Sequence, residues 1–72
     1  MTKLPQLKPR QVVRGLERAG FAKRKSKGGH RTYVKGALRV TLPYHATDIK
    51  PGTLRSIIDQ AGMTVEEFLR YL

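Results

Sequence analysis

Two glycine-bearing dipeptides, Gly28-Gly29 and Gly36-Ala37, punctuate residues 21–43 and constrain this chain more than any other feature. Between and around them lie the strand formers Phe21, Tyr33, Val34, Val40 and Leu42. Glycine supplies the positive φ that a tight turn needs, and connections this short join only antiparallel neighbours. The reading is three strands, near 21–27, 30–35 and 38–43. On the third, Leu38, Val40 and Leu42 point one way while Arg39 and Thr41 point the other. One face of the sheet is therefore covered, and the other is basic and wet.

Helices supply the cover. After Pro9, which tolerates the first helical position, Val12, Val13, Leu16 and Ala19 recur at helical spacing until Gly20, predicting a helix over 9–19. Pro51 opens a second, with Leu54, Ile57, Ile58 and Ala61 at i, i+3, i+4 and i+7 before Gly62. Thr64-Val65-Glu66-Glu67 is a capping box for a short last helix with Val65, Phe68, Leu69 and Leu72 as its apolar stripe. Residues 1–8 carry no periodic pattern and read as a tail on a single domain spanning 1–72. The order is α-β-β-β-α with a terminal helix: an α+β fold with a three-stranded antiparallel sheet, the order also found in double-stranded-RNA-binding domains.

Charge says what the wet face is for. The net is +10 on 72 residues, and the excess sits in residues 1–47, which hold Glu17 as their single acid. Lys23 to Arg39 contains seven cations and no carboxylate. Such density repels itself unless a polyanion or an acidic partner neutralises it. The chain has no cysteine, which excludes disulfides, thiolate metal sites and a cysteine nucleophile and fits a reducing cytoplasm. No apolar run approaches the roughly 18 residues of a membrane span, and the basic N-terminus lacks a signal-peptide core. A soluble cytoplasmic domain with no membrane contact is expected.

The chemistry has few candidates. His30 and His45 are the only histidines, both at strand ends. A turn over residues 36–38 would set His30 opposite Tyr44 or His45. Histidine titrates near neutral pH, so it can remove the 2′-OH proton of RNA, while Arg and Lys stabilise the charged phosphorane. His30 follows Lys27-Gly28-Gly29 and precedes Arg31, so a phosphate approaching it meets little bulk and much positive charge. Lys25, Lys27, Gly28, Gly29, Arg31 and Arg39 are the candidate RNA-binding residues, with His45 and Tyr33 as secondary ones. A solvent-facing histidine, a loop role for His45 and core packing for Tyr33 are the structural alternatives. Lys50-Pro51-Gly52-Thr53 opens a helix whose free N–H groups suit a phosphate or an ordinary helix start equally. Two histidines without clustered carboxylates make a poor metal set, and no cofactor motif is present.

Ala19-Gly20-Phe21, Lys27 through Tyr33, Val40 through His45, and Lys50 through Ile58, in this order, resemble the HicA (YcfA-like) toxin family over roughly residues 9–70. The resemblance implies a dsRBD-like fold, ribosome-independent mRNA cleavage and neutralisation by a HicB-type antitoxin. The family's motif histidine falls on His30 and its motif glycine on Gly28, while Gly29 stands where a serine is usual; the second histidine falls on His45. The expected function is a metal-independent endoribonuclease toxin with His30 as general acid or base. A non-catalytic RNA-binding module and a basic adaptor for an acidic protein are the alternatives.

Overall fold

The computed structural model describes residues 4, 6–44 and 48–72, with the backbone alone at 25 and 26. Helix α1 spans Pro9–Arg18, strands β1, β2 and β3 span Ala22–Lys27, His30–Lys35 and Leu38–Pro43, and helices α2 and α3 span Pro51–Gln60 and Val65–Leu69. The strands form one antiparallel sheet in the order β1-β2-β3. Among the described residues no helix is long and apolar enough to cross a membrane.

The periodic stripes pack as their spacing requires. Val12, Val13, Leu16 and Ala19 of the first helical segment, and Leu54, Ile57, Ile58 and Ala61 of the second, are all buried with Tyr33, Val40 and Leu42 of the sheet in one core. Two apolar residues depart from expectation. Leu38 is 39% exposed: it closes the β2–β3 hairpin at the end of the sheet, beside the turn at Gly62. In the α3 stripe Phe68 alone is fully buried, and Leu72 is 40% exposed. Phe68 reaches the core because Gly15 leaves room: a Cβ there would stand 3.1 Å from Phe68 Cζ. The tail is anchored as well. Leu7 is buried, and its carbonyl accepts from the Ile49 N–H at 2.7 Å, closing an isolated antiparallel bridge between the first and last thirds of the chain.

The β2–β3 register differs by one step from the expected one. Gly36 alone takes a positive φ (58°), Ala37 does not, and the hairpin closes at Lys35–Leu38. A two-residue turn with glycine at its first position has the φ pattern of type II′. The expected turn over 36–38 has three residues; the tighter one sets His30 opposite Pro43 rather than Tyr44 or His45. His45 itself lies outside the described residues. Pro43 sits on the edge strand at a position that needs no ladder donor, and the outward N–H of Thr41 is taken by Gln60 Oε1 at 3.2 Å.

The capping box of α3 is formed: Thr64 N–H donates to Glu67 Oε1 at 2.8 Å, and Glu67 N–H donates to Thr64 Oγ1 at 3.1 Å. The backbone and side-chain bonds from Thr64 hold the Glu67 carboxyl below its ordinary value. A depressed carboxylate stabilises above its unfolded pKa, and that contribution disappears as pH falls through the lowered folded value. Thr64→Ala is expected to cost about 1 kcal/mol near neutral pH. Glu67→Ala removes the carboxylate that accepts from the Thr64 backbone N–H, and in urea melts the gap between that variant and the wild type narrows in acid, below the ordinary carboxylate range; a gap independent of pH would count against the box.

Candidate nucleic-acid interface

Strand parity sorts the basic segment into two sets. Tyr33 is buried at 1%, so positions 31, 33 and 35 of β2 face the helices. His30, Thr32 and Val34 then line the open face, beside Pro43, Thr41 and Arg39 of β3. The inward cations are engaged inside the fold. Arg31 lays its guanidinium over the Tyr44 ring, 3.5 Å from the centroid, and Lys35 Nζ donates to the Ala19 carbonyl at 2.6 Å, capping α1. Their long stems cover the rims of the core. Tyr33 packs in the core, so its ring is not offered to a base.

The open face carries Lys27 and Arg39. His30 and Lys27 are both exposed and form the closing pair of the β1–β2 hairpin. A pair closing a two-residue turn exchanges hydrogen bonds with its Cα atoms about 5.5 Å apart. Between them Gly28 adopts φ 60° with no atom within 4 Å of where a Cβ would sit. The left-handed backbone, rather than crowding, is therefore what selects glycine at 28. Gly29 accepts a hydrogen bond from the Tyr44 N–H, which extends the β2–β3 ladder one residue past His30. His30 thus rides on backbone paired on both sides, to Lys27 and to Pro43. Lys25 stands opposite Thr32 in the ladder, beyond a bulge at Lys23/Lys25.

Arg39 is exposed but faces Val34, four residues from His30. At about 3.3 Å per residue that is roughly 13 Å along the strand, too far to touch the same phosphate. Two residues were missed by the sequence reading. Thr32 and Thr41 pair across the strands with their hydroxyls 3.2 Å apart, next to His30 on the open face. The correct register would have brought them together on paper. Among the described residues no group of three or more His, Cys, Asp or Glu is placed to hold a metal ion.

Residues 9–63 match the family described as HicA toxin of bacterial toxin-antitoxin. No curated protein matches the chain in sequence.

Proposed function

The chain belongs to the HicA toxin family of bacterial toxin–antitoxin systems, and from that premise we propose that it is a metal-independent endoribonuclease acting on mRNA. The observation that carries the reading is the Lys27–His30 pair, exposed on the open, basic face and closed by the Gly28-Gly29 turn. The neutral imidazole of His30 takes the proton from a ribose 2′-OH. The freed 2′-oxygen attacks the adjacent phosphorus, the bond to the 5′-oxygen breaks, and that oxygen leaves with a proton delivered through water. The products carry a 2′,3′-cyclic phosphate and a 5′-hydroxyl. Lys27 is the cation nearest His30 by register and offsets the charge that builds on the phosphorane. Arg39, with the Thr32 and Thr41 hydroxyls, holds a flanking stretch of the same strand, and Lys25 belongs to the same basic segment. Arg31 acts indirectly, by fixing Tyr44 and hence the ladder beside His30.

A toxin of this family has an antitoxin partner. A HicB-type antitoxin presenting acidic side chains to the same face inhibits by occluding the RNA, and its affinity falls as salt rises. The test is labelled RNA incubated with the purified protein in EDTA, without ribosomes. Cleavage to cyclic-phosphate ends is expected. RNA that is bound but left intact would make the chain an RNA-binding module, and RNA neither bound nor cut would leave the antitoxin as its only partner.

A further inference from the structure

The solvent side of α1 carries a row of cations. Arg10, Arg14 and Arg18 recur there at i, i+4 and i+8, and all three are exposed. With Lys8, Gln11, Leu7 and Leu72 they line a groove of about 650 Å³. Glu17 is the one acid on the helix, so Lys8 and the three arginines leave this side with a net positive charge. Helix α1 belongs to the layer that covers the inner face of the sheet, so the groove lies on the other side of the sheet from His30.

We infer that this groove is a second RNA-binding site, which takes the phosphate backbone of the substrate away from the point of cutting. The inference rests on the ribonuclease reading and adds a place for the rest of the strand. Four residues of helix rise about 6 Å, so the arginines form an evenly spaced row of cations. An extended single strand presents phosphates at a comparable, equally regular interval. Guanidinium groups bind phosphate oxygens two at a time, and they hold their charge at every physiological pH. An acidic protein segment fits less well. A protein interface needs an apolar centre, whereas Leu7 is only 6% exposed and Leu72 is the single leucine the groove offers. The molecule is 16 Å through its thinnest dimension, so one long RNA can pass round an edge of the sheet and touch both sites.

The test uses the full chain carrying His30→Ala, so that RNA stays intact, and a long unstructured RNA titrated between about 50 and 200 mM salt. Arg10→Gln with Arg14→Gln removes two cations, keeps helix propensity and spares the bond from Arg18 Nη1 to the Tyr71 carbonyl. Arg55→Gln with Arg70→Gln removes the same charge from exposed positions outside the groove. Circular dichroism verifies that both doubles fold. In the α1 double the log–log salt slope is expected to shrink by about 1.4, from roughly 0.7 per lost single-strand contact. The control double keeps nearly its full slope. Equal slopes for the two doubles overturn the site. So does an unchanged RNA affinity in the α1 double combined with loss of polyglutamate binding, which would assign the groove to an acidic protein. If the His30→Ala chain binds no RNA even at the lowest salt, the ribonuclease reading falls and this site with it.

Discussion

His30→Ala is expected to lower the rate of RNA cleavage by about 10²–10⁴-fold while RNA affinity and thermal stability stay near the wild-type values. The rate factor is the usual worth of a positioned proton-transfer group. The separation of effects follows from the geometry. His30 is exposed and contributes nothing to the core, so its truncation opens no cavity. Its strand stays in register through the Lys35–Leu38 closure and the Tyr44 N–H bond to Gly29, neither of which involves the imidazole. Affinity for a polyanion is set by the lysines and arginines, which the variant retains. Lys27→Ala is the informative companion. It removes the cation across the turn from His30 and is expected to lower both affinity and rate. Single-turnover cleavage under saturating protein separates the two quantities. A His30→Ala chain that cuts RNA at the wild-type rate would sink the assignment of the proton transfer to this residue.

Phe68→Ala removes about 3–5 kcal/mol of stability. The ring is fully buried, and it sits over Gly15 of α1 in a space that no other side chain in α3 can fill. Helix α3 has only five residues, Val65–Leu69, far below the length at which a helix persists alone. Its fold therefore depends on this ring and on the Thr64 capping box. A domain of 72 residues has about 4–11 kcal/mol in total at typical values per residue. The variant is consequently expected to be partly unfolded at 37 °C, with a lowered urea midpoint. Phe68→Leu, which keeps most of the apolar volume, recovers the larger part. A loss below about 1 kcal/mol for the alanine would mean that the α3 ring is not part of the cooperative core.

The toxin's secondary structure was legible from local chemistry. Pro9 and Pro51 open helices, Gly28 and Gly36 turn strands, and Thr64 with Glu67 caps α3, each through interactions spanning a few residues. The stripes of α1 and α2 were legible for a related reason, since helical period and burial coincide on elements packed along one side. His30 stands out as a candidate because a histidine beside glycines in a basic segment is conspicuous in any register.

Several features required the folded chain. Leu7 has no periodic neighbours, and only the pairing with Ile49 shows that it is core. The one-step shift to His30–Pro43 follows from the hairpin closing at Lys35–Leu38 over a two-residue turn in which Gly36 takes positive φ, a choice of backbone geometry that composition leaves open. That step decides that Arg39, opposite Val34, shares a face with His30. Arg31 and Lys35, at odd separations from His30 on the same strand, take the other face in any register and are engaged there by Tyr44 and Ala19. Sequence alone determined the elements and their order, because helix period, turn glycines and caps act within a few residues. Tertiary structure decided which charge of the neighbouring strand stands on His30's face, because side chains alternate along a strand and a single residue of register exchanges the two faces.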